Sequence, residues 1–381
     1  MKRFLSLALL CCLLCGCTAV NRPSTAPEKE NPSSETTKPS AAQPQPKPVA
    51  PAEKPAETPA EKPRIAYEDY SGEVPHIFIH CLIAYPEIRR PDGRMPYDNE
   101  CITVTEFNRM LEELWKNGYS LVDLYDTYAR GEDGKLRFAP SISVPKGRKP
   151  FVLSVDDVVY DYRKRGHGMV DGLILDENKN ILSVTYQKDG SAKTSAENEW
   201  IPLLESFIAE HPEFSSHDAR ATLCMTGFAG VFGYRTEEGY EGDRQGEIQK
   251  ATALADRLKE LGYSFASHSY GHRDVNKHTE ASFRRDLEKM KNEVVPIVGP
   301  LRAFVYPYGK LVYPSDARYR AAQEYGFELF CSVSHFFFRR EYETGDSLYM
   351  TRVAIDGYSL RNYKTVLAPL MDVDTVIDKT R

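Results

Sequence analysis

The pattern of hydrophobic and polar positions divides the 381-residue chain into three parts. Residues 4–14 are apolar, residues 18–63 hold almost no large apolar side chain, and the remainder alternates short apolar runs with polar stretches. The first of these runs, "VPHIFIHCLIAYP", predicts a buried strand, interrupted by His80, that contains Ile77, Phe78, Ile79, Leu82 and Ile83. A histidine in such a strand is either a core residue with satisfied hydrogen bonds or a functional residue.

The segments that follow alternate between helix and strand patterns. "TVTEFNRMLEELWKNG" predicts a helix with Thr103 or Thr105 as its N-cap and Asn117-Gly118 at its end. Further helices are predicted at "EWIPLLESFIAEHPEF", "EIQKATALADRLKELG", "EASFRRDLEKMKNEVV" and "ARYRAAQEYG". Strands are predicted at "YSLVDL", "FVLSVDDV", "ATLCMTG", "SFASHS", "AFVYPYG" and "ELFCSVS". This alternation favours parallel strands with crossover helices, hence an α/β barrel or an open doubly wound sheet.

One stretch, about 166–198, interrupts this alternation. Its part "GLILDENKNILSVTYQ" alternates apolar residues around an Asn-rich turn, which predicts an inserted β-hairpin. Such a hairpin either narrows a groove beside the active face or packs on the outside of the domain.

The N-terminal part indicates export. Lys2 and Arg3 precede an apolar run that is too short to span a bilayer comfortably. The run ends in Leu14-Cys15-Gly16-Cys17, which resembles a bacterial lipobox, so residues 1–17 are predicted to be a lipoprotein signal peptide with Cys17 as the lipidated residue. An ordinary secretion signal is the alternative. Residues 18–63, rich in Pro, Ala, Glu and Lys, are predicted to be a disordered spacer before a catalytic domain at 64–381.

Composition and charge narrow the function classes. With 41% hydrophobic and 27% charged residues, the chain has the composition of a soluble globular protein. The net charge of −6 and the absence of long Lys/Arg runs exclude nucleic acid as an expected partner, and no protein partner is predicted. Four of the eight cysteines lie in the signal; the others, Cys81, Cys101, Cys224 and Cys331, have no CxxC spacing and allow one disulfide.

Polar residues collect at the predicted strand ends. Asp156 and Asp157 end the "FVLSV" strand, His268 and His272 follow "SFAS", and Pro307-Tyr308-Gly309 follows "AFVY". Because the carboxyl ends of parallel strands share one face, these groups are expected to converge. Two adjacent carboxylates repel each other unless a positive charge stabilises them, and one carboxylate with two histidines is a common zinc ligand set. A helix cap beside a turn aspartate is the structural alternative.

These residues together resemble the polysaccharide deacetylase family, the NodB-like carbohydrate esterases. Its motifs are a T/S-F-D-D-G strand end, H-S/T-x-x-H, and R-x-P-Y-G or Y-P-Y-G. This chain has Ser154-Val155-Asp156-Asp157-Val158, His268-Ser269-Tyr270-Gly271-His272 and Tyr306-Pro307-Tyr308-Gly309, and the resemblance covers residues 75 to 357. It implies a distorted (β/α)7 barrel. It also implies that Asp157, His268 and His272 hold a divalent metal, that Asp156 is the general base, and that a backbone N–H near Tyr308 stabilises the oxyanion.

The sequence departs from the family pattern in three places. Val158 replaces a glycine, the arginine of the third motif is absent before Pro307, and there is no C-terminal Leu-x-His motif to supply the general acid. In the branch that resembles the poly-N-acetylglucosamine deacetylases, a histidine at the end of an N-terminal strand has the acid role. His80 is the match here, and His335 is a rival.

The expected function is therefore metal-dependent removal of N-acetyl or O-acetyl groups from an envelope or extracellular polysaccharide. The expected metal is Zn²⁺, with Co²⁺, Ni²⁺ and Fe²⁺ as alternatives. The expected location is the bacterial cell surface or envelope, where a lipid anchor attaches the protein to the membrane. A catalytically silent glycan-binding lipoprotein of the same fold is the alternative.

Overall fold

The computed structural model describes residues 64–334 and 340–381. The predicted signal with Cys17, the spacer at 18–63 and His335 lie outside these ranges. The strands are β1 (Tyr67–Tyr70), β2 (His76–His80), β3 (Tyr119–Leu121), β4 (Tyr128–Arg130), β5 (Leu136–Phe138), β6 (Ile142–Pro145), β7 (Lys149–Asp156), β8 (Gly172–Leu175), β9 (Ile181–Tyr186), β10 (Ala192–Ser195), β11 (Thr222–Met225), β12 (Ser264–Ser267), β13 (Ala303–Val305), β14 (Leu329–Val333), β15 (Arg340–Glu343) and β16 (Leu348–Ala354).

The helices alternate with these strands. They are α1 (Val104–Lys116), α2 (Trp200–Glu210), α3 (Arg244–Leu261), α4 (Glu280–Lys289), α5 (Val295–Val298), α6 (Ala317–Tyr325), α7 (Gly357–Asn362), α8 (Lys364–Leu367) and α9 (Val373–Val376). A π-helical segment, Met290–Val294, joins α4 to α5. Short 3₁₀ turns occur at Leu124–Thr127, Tyr162–Lys164, Pro212–Phe214, Val275–Lys277 and Pro307–Gly309.

Seven parallel strands close into a barrel in the order β2, β7, β11, β12, β13, β14, β16 and back to β2. β3 pairs in parallel with the start of β7, and β15 pairs antiparallel with β16. The predicted (β/α)7 barrel is therefore confirmed, and the open doubly wound sheet is excluded. All seven carboxyl ends lie at one rim, which is where such barrels gather reactive groups.

Alternating side chains along the barrel strands divide the core into two parts. The larger part, which includes the buried faces of the helices, takes large side chains such as Leu223, Phe265, Phe304 and Phe330. Their strand neighbours belong to a second cluster and are smaller: Cys224, Ala266, Ala303, Val305 and Cys331. Because successive strand residues point to opposite faces, the smaller residues fill the barrel interior.

Helix α1 shows how the local sequence sets an element boundary. Of the two candidate caps, Thr103 is the N-cap: its Oγ1 accepts from the Glu106 N–H at 3.2 Å, and the Glu106 carboxylate accepts from the Thr103 N–H at 2.8 Å. This capping box satisfies two N–H groups at the start of the helix. Phe107, Met110, Leu111 and Leu114 form the buried face.

The structure corrects the sequence interpretation at two strands of the barrel. β2 ends at His80, so Leu82 and Ile83 lie beyond it, where Ile83 forms an isolated bridge with Thr103. β16 was not predicted at all, because Arg352 interrupts its apolar pattern "LYMTRVA" and no clear helix precedes it.

The inserted segment contains the predicted hairpin. β8 and β9 pair antiparallel, and β10 adds a third strand that was not predicted. The sheet contacts α2 and α3 on the outside of the barrel. Leu173 of β8 and Val184 of β9 are buried.

The four cysteines of the described residues are all free and buried, so the disulfide that the sequence allowed does not form among them. Within residues 64–334 and 340–381, no helix has both the length and the apolar character that a membrane span needs.

Candidate active site

A cavity of about 500 Å³ opens at the carboxyl rim of the barrel. Its lining includes all six residues that the sequence singled out for catalysis or metal binding: His80, Asp156, Asp157, His268, His272 and Tyr308. The rest of the wall is largely apolar and aromatic, with Phe78, Tyr97, Met169, Tyr306, Val353 and Tyr358 among its members. An apolar wall that carries a few polar groups is typical of a site that binds a small organic group.

Three of these residues form a cluster that fits a metal ion. One ligand atom from each of Asp157, His268 and His272 lies within 4.8 Å of the others. A carboxylate oxygen and two imidazole nitrogens are the donors that open, hydrolytic zinc sites use. The two histidines of "HSYGH" therefore face the same point as the aspartate that follows β7.

His268 is oriented by the barrel itself. It is 2% exposed, and its Nδ1 lies 2.9 Å from the Val305 carbonyl oxygen, which can only accept a hydrogen bond. The proton is therefore on Nδ1, and the Nε2 lone pair is free to coordinate. Burial lowers the pKa of His268 to about 4, so the ring is neutral at pH 7, as a metal ligand must be.

Asp157 offers an oxygen that the protein does not satisfy. Its Oδ1 is buried without a hydrogen-bond partner in the described chain, and it lies 3.6 Å from Nε2 of His272. Burial by itself would raise the pKa of Asp157, but the electrostatic influence of the neighbouring imidazoles, His272 first, and of Lys164 outweighs it and lowers the pKa. An ionised, unsatisfied carboxylate beside two imidazoles is the donor set that a divalent cation would complete.

Backbone strain concentrates at this rim. Asp157, Ser269, His272 and Tyr308 all adopt positive φ, at 59°, 60°, 47° and 58°. Each such non-glycine residue costs of order 1 kcal/mol and persists only where its surroundings hold it in place. The turn accommodates Val158 in place of a glycine, because Asp157 takes the left-handed conformation and Val158 is buried in the core.

The Ser269 turn is held by a buried aspartate from α4. Asp286 accepts hydrogen bonds from Ser269 Oγ at 2.9 Å and from the backbone N–H groups of Tyr270 and Gly271 at 2.9 and 2.8 Å. In the neighbouring Pro307–Gly309 turn, Gly309 has φ of 63°, and a Cβ there would lie 2.5 Å from Cβ of Val333. Only glycine fits that position without a shift.

Asp156 has a very different partner. Both its oxygens accept hydrogen bonds from Arg352, Nη1 to Oδ1 at 2.7 Å and Nη2 to Oδ2 at 2.9 Å. The two side chains are buried in the barrel interior, where Asp156 is 2% and Arg352 0% exposed. Burial alone would raise the pKa of Asp156, but the positive charge of Arg352 lowers it well below its usual range.

Arg352 is the functional residue that the sequence analysis missed. It projects from β16, two strands away from β7 in the barrel, and it also donates to Ser154 Oγ at 3.0 Å. Ser154 in turn lies 2.9 Å from Nε2 of the buried His76. A single arginine inside an otherwise apolar strand was the available signal, since a buried arginine almost always has an anionic partner.

His80 lies at the end of β2, directly opposite Asp156 in the register of the sheet. Its ring is edge-on to Phe78, with 5.8 Å between ring centroids, and its Nδ1 is buried without a hydrogen-bond partner in the described residues. His80 is therefore not a core histidine with satisfied hydrogen bonds. Tyr308 is 63% exposed, and its ring centroid is 4.8 Å from that of His272.

The inserted segment contributes only its base to the cavity. Met169 and Val170 line the wall, whereas no residue of β8, β9 or β10 does. The strands of the insertion therefore pack on the barrel exterior, and the segment that leads into them shapes the site.

Comparison with known proteins gives one family. The family model described as polysaccharide deacetylase matches residues 212–330, which include the "HSYGH" and "YPYG" motifs. A search of curated proteins finds no matching sequence.

Solved structures show a distant likeness. The Streptococcus pyogenes deacetylase PplD in complex with acetate is 14% identical, with 79% of this chain and 99% of that chain covered and a TM-score of 0.43. IcaB from Ammonifex degensii is 15% identical over 75% and 93% of the two chains, with a TM-score of 0.41. The BpsB deacetylase domain from Bordetella bronchiseptica is 15% identical over 76% and 98%, also at 0.41. A likeness this distant says nothing about activity.

The family match agrees with the closed parallel barrel and with the order of the motifs along the chain. Residues 212–330 of the chain therefore match the polysaccharide deacetylase family.

Proposed function

We propose that this protein is a metal-dependent hydrolase that removes acetyl groups from the N-acetylated sugars of an envelope or extracellular polysaccharide. The observation that carries this proposal is the contrast between two adjacent carboxylates in one cavity. Asp157 lies with two histidines in a set of converging donors, and both oxygens of Asp156 accept hydrogen bonds from Arg352.

Asp157, His268 and His272 would hold the metal. Their converging donor atoms, the neutral His268 and the unsatisfied Asp157 oxygen all support this assignment. When bound, a divalent cation supplies a Lewis acid that acidifies the attacking water and polarises the acetyl carbonyl. The nitrogen-rich donor set favours Zn²⁺, and Co²⁺, Ni²⁺ or Fe²⁺ could replace it.

Asp156 would act as the general base. Its carboxylate is ionised at all working pH values because of Arg352, and Oδ2 lies 3.6 Å from His268 Nε2, close to where a water between the ligands and substrate would sit. The bidentate contact fixes the orientation of the carboxylate, so that it can accept the water proton without reorganising.

His80 would donate the proton to the departing amine. It lies beside Asp156 on the neighbouring strand and lines the same cavity, so a sugar nitrogen bound there would be within reach of both groups. Its rival His335 lies outside the described residues. The backbone N–H near Tyr308 would donate to the oxyanion of the tetrahedral intermediate.

The lipid anchor is part of the proposal and rests on the sequence alone. Cys17 and the spacer at 18–63 would attach the domain to a membrane and let it reach a polymer of the envelope. The competing function is that of a silent glycan-binding lipoprotein. The backbone strain at the donor residues disfavours it, because binding a glycan requires neither a general base nor a set of metal ligands.

Acetate release tests the proposal. The purified protein, stripped with a chelator and reloaded with Zn²⁺ or Co²⁺, should release acetate from an N-acetylglucosamine oligomer only in the loaded form. The same assay with an O-acetylated xylan separates amide from ester substrates. If the loaded protein binds the oligomers but releases no acetate from any of them or from a cell-wall preparation, the silent binding function is correct instead.

A further inference from the structure

A second charged feature lies beside the active-site cavity. Two adjoining grooves share His272, Arg273 and His278, and together we call them the basic cleft. The cleft is lined by two aspartates and by six cationic side chains: Arg163, Arg273, Lys277, Arg285, Lys289 and Lys310. The whole chain has a net charge of −6, so this concentration of positive charge is opposite in sign to the protein as a whole.

Several of these cations already have partners. Arg163 pairs with Asp161 at 2.6 Å, Lys277 lies 3.9 Å from Asp274, and Lys289 lies 3.9 Å from both Glu238 and Glu293. These contacts lower the net charge of the cleft but do not remove it.

Arg273 and Arg285 differ from the others. Both are exposed, and within residues 64–334 and 340–381 the guanidinium of neither has a hydrogen-bond or ion-pair partner. Asp286, one of the two lining carboxylates, is directed into the Ser269 turn, where its oxygens accept three hydrogen bonds. The two arginines therefore present planar donor groups to whatever enters the cleft, a geometry suited to phosphate or carboxylate.

The cleft is continuous with the catalytic cavity. His272 lines the cavity and both grooves, and Tyr308 lines the cavity and one groove. A glycan with one sugar in the cavity would extend over these two residues into the cleft. A group bound there would belong to the same polymer as the sugar that reacts.

We propose that the basic cleft is a subsite for an anionic group of the acetylated glycan, a phosphate or a carboxylate carried next to the reacting sugar. This inference rests on the proposed deacetylase function and names its substrate class. The subsite would recruit an anionic polymer through charge and would select it over a neutral one through Arg273 and Arg285.

The test compares two double variants that lose the same charge. Arg273→Gln/Arg285→Gln alters the cleft, and Arg109→Gln/Arg320→Gln alters exposed arginines that line neither the cavity nor the cleft. The substrates are N-acetylglucosamine oligomers of equal length that are neutral, phosphate-bearing or carboxylate-bearing. The cleft variant should lower the ratio of kcat/KM for the anionic oligomer over the neutral one by about 10-fold, mainly through KM, and the control variant should not change it.

Comparing the two anionic oligomers shows whether the subsite binds phosphate or carboxylate, because it should prefer one of these groups. Raising ionic strength from about 0.05 to about 0.5 M should abolish the preference in the parent protein and change the cleft variant little. An unchanged ratio in the cleft variant, or equal kcat/KM for neutral and anionic oligomers in the parent, would overturn the proposal.

Binding supplies a readout that does not depend on catalysis. Titration calorimetry of the purified protein with the phosphate-bearing and carboxylate-bearing oligomers should show affinity that falls about 10-fold in the cleft variant alone. If no oligomer releases acetate but this difference in affinity is present, the proposed function fails and the subsite stands. If acetate is released and the affinities are equal, only the subsite is wrong.

Discussion

Asp156 and Asp157 are neighbours in the chain, yet the fold gives them opposite environments. Asp156 belongs to the barrel interior, where Arg352 satisfies both of its oxygens. Asp157 leaves the strand with φ of 59° and turns toward His268 and His272, with one buried oxygen unsatisfied in the described chain. One carboxylate is neutralised by the protein itself, and the other is left for a ligand.

The difference shows how one strand end can supply two separate functions. Alternation along β7 directs Asp156 inward, and the left-handed residue that follows redirects the next side chain. A metal shared by both carboxylates would leave no base, and an arginine shared by both would leave no metal ligand. The fold avoids both outcomes because Arg352, a cation from another strand, binds only Asp156.

The largest expected effect comes from exchanging each aspartate separately for asparagine. Asp156→Asn should keep the bound metal and lower kcat by about 10²- to 10⁴-fold, because it removes the general base. Asp157→Asn should lose metal, with activity partly restored by added Zn²⁺, because it removes a charged donor.

Elemental analysis and acetate release should be measured on the same preparations of both variants, with His268→Ala and His272→Ala as further ligand variants. Equal metal content in all four proteins would show that the two aspartates do not differ in this way and that "HSYGH" is not a ligand pair.

The next effect concerns the contribution of the Asp156–Arg352 ion pair to the stability of the protein. Arg352→Met should lower the free energy of unfolding by about 3–5 kcal/mol, because it leaves the Asp156 charge buried without a partner. Adding Asp156→Asn to this variant should recover part of the loss. Arg284→Met, which breaks exposed ion pairs with Glu280 and Glu324, is the matched control and should cost far less. Urea unfolding measures all of these, and equal losses for Arg352→Met and Arg284→Met would contradict the role given to burial.

The effect that is smallest per pH unit comes from Glu199, a third buried carboxylate that has neither arginine nor histidine as a hydrogen-bond partner. Its Oε1 accepts from the N–H groups of Leu82 and Trp200, and burial raises its pKa from 4.5 to about 8. Between these pH values the folded protein keeps a proton that the unfolded chain releases. Stability should therefore fall as pH rises from about 4.5 to about 8, by at most about 1.4 kcal/mol per pH unit.

Glu199→Gln should flatten this dependence, whereas Glu197→Gln, which alters an exposed carboxylate two residues earlier, should leave it unchanged. Thermal unfolding across this pH range measures the slope. A slope that is the same in the parent protein and in Glu199→Gln would show that Glu199 is ionised in the fold.

Much of this site could be predicted from sequence because its parts are local. The strand that ends in two aspartates, the histidines four residues apart and the "PYG" turn each occupy one short segment, and the alternation of elements brings their ends to a common rim. The (β/α)7 barrel followed from the motif resemblance, since alternation alone also allowed an open sheet. The choice between Thr103 and Thr105 depended on one hydrogen-bond pair, which the sequence did not decide.

What only the tertiary structure decided is which charges meet across the barrel. Arg352 is 196 residues away from Asp156, and their contact depends on the closure that places β16 beside β2 and β2 beside β7. The basic cleft likewise joins the Tyr162–Lys164 turn, the "HSYGH" turn and α4. The sequence by itself determined the local chemistry, because strand period, caps and turns act over a few residues. Compensation of a buried charge depends on distance in space, and folding alone sets that distance.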